Sequence, residues 1–341
     1  MPRMTPDPTS RLPVTLLTGF LGSGKTTVLN HLVHQPEFAD ALVIINEFGE
    51  MALDHLLVAH SQETPVVELG SGCVCCSVRG DLVRTLRDVT WRFARAGRRQ
   101  FGRVLIETTG LADPAPIVHT LLRHPQVAPH YRLDGVVTVV DLASATVTLD
   151  RHAEAVRQVA MADCLLLSKA DLATPAQRAA VEARLAALNP GAPRYAVSAG
   201  EIAPAVLLDL AADMTTDTAR WLNAAAYTPV AGYARRPVAA PRHDDRIRAF
   251  CCTLDTPVEA RRLPHWQAAL LAATGERLLR FKGLFNIAGH HGPWALHGVR
   301  HIFHPAEPLP AWPDSDHRTR LVFITEDVEE AEIVATLGEL G

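Results

Sequence analysis

The sequence predicts an α/β protein in which a doubly wound parallel sheet is followed by a smaller C-terminal α+β domain, and three observations carry that expectation. Short apolar runs recur through the N-terminal part, each ending in a polar or glycine-containing cluster, with helical patterns between most of them. A parallel sheet whose functional loops gather at the carboxyl ends of its strands reads this way. A glycine-rich stretch from Gly19 to Thr27 lies between the first apolar run and the first helical pattern. Beyond Arg246 strand-like runs outnumber helical ones, which suggests an antiparallel α+β unit.

In chain order, residues 14–17 read as a short buried strand, and Gly19, Gly24, Lys25 and Thr26 then fit the G-x-x-x-x-G-K-[ST] phosphate loop. This makes the first domain a P-loop NTPase sheet. Gly19, Gly22 and Gly24 let the backbone turn tightly, so that its N–H groups, with Ser23 and Thr27 in the same loop, cradle a nucleotide phosphate at a helix N-terminus. Lys25 is placed to reach the β- and γ-oxygens, and Thr26 to offer its hydroxyl to Mg²⁺. A helix continues to His34, and residues 41–45 form the second strand, followed by Asn46-Glu47-Phe48-Gly49-Glu50. Residues 66–69 lead into Gly70-Ser71-Gly72-Cys73-Val74-Cys75-Cys76, with a helix expected over 81–96. The remaining strands of the sheet are expected at 103–106, 135–140, 164–167 and 195–197.

The first domain is expected to span 11–216, a Pro-, Arg- and Ala-rich linker 217–245, and the second domain 246–341. Within the latter, strands are expected at 247–254, 278–283, 284–289, 294–303 and 320–324, with helices over 258–274 and 328–340.

A chain of 341 residues, 48% hydrophobic and 21% charged, has room for a large core and fits a globular class. Its net charge of −4, without a basic block, gives no support to nucleic acid as a partner. No signal peptide and no run of eighteen apolar residues is present, so a cytoplasmic protein without a membrane segment is expected. Six cysteines in so long and apolar a chain do not make a disulfide framework.

Glu107-Thr108-Thr109-Gly110 follows an apolar strand, where phosphate-loop hydrolases place a Mg²⁺-directed carboxylate and a glycine N–H facing the γ-phosphate. Glu107 is one methylene longer than the more usual Asp, so contact with the ion through a water is compatible with it. Ser168-Lys169-Ala170-Asp171 resembles the [Asn/Ser]-Lys-x-Asp signature for guanine. Asp171 would accept from both the ring N–H and the exocyclic amine of that base, and Ser198-Ala199 would support it. Three thiols within four residues, Cys73, Cys75 and Cys76, can converge on one soft cation and leave a fourth tetrahedral place. Glu47, Glu50 and Asp54 are candidates for an oxygen ligand or for sensing nucleotide. Cys251 and Cys252 read as core or edge residues, Cys164 as buried, and the histidines 290, 291, 297, 301 and 304 as a loosely spaced set more consistent with solvated loops than with a metal site.

With these motifs in this order, and with Leu279-Arg280-Phe281-Lys282-Gly283-Leu284 and Arg318-Thr319-Arg320-Leu321-Val322-Phe323-Ile324 in the second domain, the chain resembles the CobW family of metal-handling GTPases over nearly its whole length. The resemblance implies a GTP-driven metallochaperone. Mg²⁺-GTP would favour a state in which the Cys-x-Cys-Cys loop binds Zn²⁺, or alternatively Co²⁺, and hydrolysis would release the ion to a client metalloprotein. Branches of the family serve zinc enzymes, cobalamin synthesis and nitrile hydratase maturation, and they share the motifs quoted. The resemblance assigns Lys25, Thr26, Glu107 and Gly110 to catalysis, Ser168, Lys169, Asp171 and Ser198 to the base, and Cys73, Cys75, Cys76 and Glu47 to the transition metal. A metal-responsive regulatory GTPase is the alternative of another class. A phosphate-loop kinase is disfavoured by the Lys-x-Asp element.

Overall fold

The structure is a computed structural model and describes residues 11–46, 66–68, 77–92, 94–95, 98–99, 101–208, 210, 214, 217–230 and 246–341. The chain divides into two compact units, Met1–Val181 with Ala192–Ala211, and Glu182–Gly191 with Ala212–Gly341.

The first unit is built on a seven-stranded sheet: β1 (Leu12–Thr18), β2 (Ala41–Asn46), β3 (Val66–Glu68), β4 (Arg103–Thr108), β5 (Tyr131–Asp141), β6 (Cys164–Ser168) and β7 (Arg194–Ala196). Their order across the sheet is β3-β2-β4-β1-β5-β6-β7, and every pairing is parallel. The near-continuous apolar runs of β1, β2 and β6 are what a sheet covered on both faces requires. Helices α1 (Lys25–Val33), α2 (Ser77–Arg92), α3 (Ala115–Arg123), α4 (Ala145–Arg151), α5 (Ala153–Met161) and α6 (Pro175–Leu188) connect them. Leu29, Leu32 and Val33 of α1 join Val43, Leu105, Val137 and Leu166 of the strands in one core cluster. The chain leaves β1 toward one edge, returns to place β4 beside β1, and then proceeds to the other edge. Such a reversal opens a crevice at the carboxyl ends of the central strands.

The helix expected over 81–96 begins four residues earlier and ends at Arg92, because Ala94–Arg95 pairs with Arg98–Arg99 in a short antiparallel hairpin. Its buried positions, Leu82, Leu86 and Val89, keep the helical spacing.

In the second unit β8 (Ile247–Leu254), β9 (Leu278–Phe285), β10 (Trp294–Val299), β11 (Ile302–Phe303) and β12 (Thr319–Glu326) form an antiparallel sheet in the order β8-β12-β9-β10-β11. Thr228–Pro229, within the stretch expected as linker, adds to β8 in parallel, and just before it lies the short helix α7 (Thr218–Leu222). One sheet face packs Phe250, Phe281, Phe285 and Phe323 against Trp266 of α8 (Leu263–Thr274) and Ile333 of α9 (Glu330–Thr336). The Trp266 ring meets Phe281 and Phe285 edge-on, each with centroids 5.4 Å apart. Cys252 lies in this core and burial pushes its thiol up to about 12, while Cys251 and Cys164 are buried as well.

Two strand expectations are corrected here. Residues 278–289 do not make two strands broken at Gly283: β9 runs through it, since a Cβ there would lie 2.8 Å from Leu321 and Phe281 and 2.9 Å from Phe285. That glycine makes room for aromatic packing and does not mark a turn. Residues 294–303 are two strands, folded back at Arg300, which adopts φ 51° without glycine or asparagine. The helix expected from 258 begins at Leu263, with Pro264 in its first turn, where a missing N–H costs nothing. The last helix ends at Thr336 and tightens into a 3₁₀ turn over Leu337–Leu340.

Candidate functional site

The loop between β1 and α1 has the backbone that a phosphate cradle needs. Gly19, Gly22 and Gly24 take φ values of 140°, 70° and 97°, in the region that side chains strain to reach. Gly19 is fixed by space too, since a Cβ would stand 2.3 Å from the Val139 carbonyl oxygen of β5. Lys25 is only 7% exposed and its Nζ donates to the Phe20 carbonyl at 3.2 Å, so the ammonium is folded back over the loop. Ser23 is buried and Thr27 exposed.

Beside the loop, the end of β4 supplies the carboxylate. Thr26 Oγ1 donates to Glu107 Oε1 at 2.7 Å, and Glu107 is 4% exposed. A hydroxyl and a carboxylate oxygen in contact are the hard donors that Mg²⁺ takes from a protein alongside nucleotide phosphates, so the pair fits that ion. Thr108 Oγ1 bonds Thr18 Oγ1 at 2.8 Å, tying the ends of β4 and β1 together. Gly110 lies so close to the phosphate loop that a Cβ on it would be 2.5 Å from the Leu21 nitrogen.

The residues that the sequence assigns to the base lie at the ends of β6 and β7. Ser168 Oγ donates to the Ser23 carbonyl at 2.7 Å and lies 3.3 Å from the Val140 carbonyl, linking this strand end to the phosphate loop. Lys169, at φ 55°, donates to the Gly22 carbonyl at 2.7 Å and pairs with Asp141 Oδ2 at 2.9 Å. Asp171 is exposed just beyond. Ser198 and Ala199 precede Gly200, which at φ 84° packs on α1, a Cβ there standing 2.4 Å from the Thr27 carbonyl. The phosphate loop and the segments at the ends of β4, β6 and β7 thus meet along one edge of the sheet.

Sequence reasoning missed two contributors. Asp141 ends β5 and anchors Lys169, and its place at a strand terminus was the available signal. Gln158 of α5, fully buried, donates from Nε2 to the Gly110 and Ala112 carbonyls at 3.1 and 2.9 Å, and no local pattern announces it.

Cys73, Cys75, Cys76, Glu47, Glu50 and Asp54 lie outside the described residues. Among the described residues no group of three or more His, Cys, Asp or Glu is arranged to hold a metal. None of the described helices is long and apolar enough to cross a membrane. Of the C-terminal histidines, His297 and His304 stack with ring centroids 3.6 Å apart, while His290 and His291 are exposed.

Residues 13–196 match the CobW/HypB/UreG nucleotide-binding domain, and residues 247–340 the C-terminal domain of the cobalamin synthesis protein CobW. The zinc chaperone YjiA of Escherichia coli (strain K12) is 34% identical over 327 residues, covering 96% of this chain and 98% of that protein. The zinc chaperone CobW of Pseudomonas aeruginosa is 32% identical over 365 residues, covering 96% and 91%. The crystal structure of Zn(II)-bound YjiA GTPase from E. coli superposes with a TM-score of 0.70 at 28% identity, covering 97% of this chain and 99% of that one. Both domains are matched in order and the relatives align almost from end to end, so the chain belongs to the CobW family.

Proposed function

We propose that this protein is a GTP-hydrolysing zinc metallochaperone. The observation that carries the reading is the convergence of Lys25, the Thr26–Glu107 pair, Gly110 and the Ser168–Asp171 segment on one sheet edge. It is supported by relatives named as zinc chaperones that align over 98% and 91% of their own lengths.

In this reading the phosphate-loop N–H groups and the Lys25 ammonium neutralise the β- and γ-phosphates, and Gly110 presents its N–H to the γ-phosphate. Thr26 and Glu107 would hold Mg²⁺, which when bound would offset the negative charge of the phosphates. Lys169 braces the loop through the Gly22 carbonyl, and Asp171 accepts from guanine, a donor pair adenine does not offer. Water attacks in line with the leaving GDP oxygen, so the chain's own contribution is placement and charge rather than covalent chemistry.

The cargo ion is held by the thiolates of Cys73, Cys75 and Cys76, with Glu47 as a fourth, oxygen ligand. The segments carrying these residues follow β2 and β3, whose carboxyl ends share an edge with the phosphate loop in a parallel sheet. Nucleotide state then biases the metal site, and linkage makes the effect mutual: whatever factor GTP adds to zinc affinity, zinc adds to GTP affinity. The ion passes to a client metalloprotein once GTP is hydrolysed.

The test is zinc affinity by chelator competition in Mg²⁺-GTP and Mg²⁺-GDP, with Co²⁺ alongside. Tightening by about fivefold or more in the GTP state is expected, at the lower end of ordinary allosteric coupling. Cys75→Ser should abolish the tight site while GTP binding without zinc is kept, because a serine hydroxyl stays protonated at neutral pH. Equal affinity in both states would remove the chaperone cycle. An apo-client that loads no faster with GTP than with a non-hydrolysable analogue would favour a regulatory GTPase instead.

A further inference from the structure

We infer that Gln158 is a positioning residue for GTP hydrolysis, holding the loop after β4 against the phosphate loop through its carboxamide nitrogen; this rests on the GTPase reading above. Gln158 sits on α5, far in sequence from both loops it serves. Its Nε2 donates to two carbonyls of one loop, Gly110 at 3.1 Å and Ala112 at 2.9 Å. Both partners are acceptors, so the nitrogen end of the amide must face them. The two bonds use both amide hydrogens and span the turn that follows Gly110.

Gln158 is also held through its main-chain carbonyl. Thr138 of β5 donates from Oγ1 to the Gln158 carbonyl at 2.8 Å, fastening this turn of α5 to the strand beside β1. On the opposite side Gly110 rests on the Leu21 backbone, closer than any side chain allows. Gln158 and Leu21 therefore close on the Gly110 loop from two directions. Gln158 has no exposed surface, and losing these bonds leaves two carbonyls without this donor.

The chemistry asks for such a brace. Catalysis of phosphoryl transfer is mostly placement, and a group about 1 Å out of position costs about a hundredfold in rate. Ground-state binding of GDP uses the phosphate loop and the base loop, and the Gln158 amide hydrogen-bonds neither of them. The two effects are therefore separable.

The experiment measures kcat and KM for GTP, affinity for fluorescent GDP and thermal unfolding in wild type, Gln158→Met and Gln158→Glu. Methionine keeps length and volume but has no donor. Its kcat is expected to fall about ten- to a hundredfold, with GDP affinity within about twofold of wild type. The glutamate variant donates only while its carboxyl keeps its proton, so its deficit relative to wild type should deepen from pH 6 to pH 9 while that of the methionine variant stays constant. A folded Gln158→Met protein with wild-type kcat overturns the inference, as does a parallel loss of GDP affinity, which would mark a general packing defect. Should one variant fail to fold, the other decides alone. An inactive wild type would instead refute the GTPase reading itself.

Discussion

Replacing Gly110 by alanine isolates the contact between the loop after β4 and the phosphate loop. Gly110 does not occupy the left-handed region, so alanine meets no backbone strain there and the obstacle is purely spatial. The new Cβ would stand 2.5 Å from the Leu21 nitrogen and 2.6 Å from its Cα. Leu21 Cδ2, also at 2.6 Å, can swing aside, but the backbone atoms belong to the cradle. To bring 2.5 Å up to about 3.4 Å, where ordinary contact begins, the two loops must part by about 0.9 Å. Overpacking of this kind costs about 1–3 kcal/mol in stability. In rate, the role proposed for the Gly110 N–H at the γ-phosphate makes the same displacement expected to lower kcat about a hundredfold. Lys25, Lys169 and Asp171 keep their places, so GDP affinity should hold within about threefold. Phosphate release at saturating GTP, a fluorescent GDP titration and a thermal melt read the three quantities separately. Turnover within twofold of wild type in a folded Gly110→Ala protein would refute the argument that this close approach sets the reactive geometry.

Asp171→Asn should weaken GTP and improve xanthosine triphosphate, whose ring carries an oxygen where guanine has an amine, reversing preference by about tenfold or more. An unchanged ratio in a competition titration would sink the base assignment. A pH dependence follows from His297, whose imidazole is held well below its ordinary value by burial first, then by His304, Arg280 and Lys282, with the Trp221 ring on its edge. The folded form keeps this imidazole neutral, whereas the unfolded chain binds a proton below about pH 6.5. The unfolded state thus binds more protons, and stability present at neutral pH is lost as pH falls below that value, by up to about 1.4 kcal/mol per unit. Melts from pH 7.5 to 5 should show a shallower loss in His297→Leu than in wild type, and identical slopes would remove His297 as the cause.

Much of the first unit was legible because its motifs are local. The phosphate loop, the Glu107 strand end and the Lys-x-Asp element each declare themselves within a few residues, and their order along the chain matches a sheet that gathers them on one edge. What the residues do not declare is pairing at a distance. Gln158 bonds partners 48 and 46 residues away, and nothing around it distinguishes it from an ordinary helix-surface glutamine. Glycine was misleading in the opposite sense. Gly283 looks like punctuation between strands, yet it is present because Leu321, Phe281 and Phe285 fill the space a side chain would need. At Arg300 the chain turns at φ 51° with no turn residue to advertise it, held by the pairing of Val299 with Ile302. In both cases tertiary packing overrides the local signal.

Ser168 shows how far a motif can be read as chemistry rather than as letters. The more usual asparagine at this place suggests that the position helps choose the base, and its replacement by serine then looks like a weakened preference. In the structure the Ser168 hydroxyl donates to the Ser23 carbonyl of the phosphate loop at 2.7 Å, while Asp171 is exposed. Lys169 makes the companion bond to Gly22 at 2.7 Å, so consecutive residues of one strand end clasp two carbonyls of the loop. The bond to Ser23 needs one donor on a short side chain, which the serine hydroxyl supplies. These two bonds tie the end of β6 to the phosphate loop, so on the reading proposed above base choice rests with Asp171 and not with Ser168.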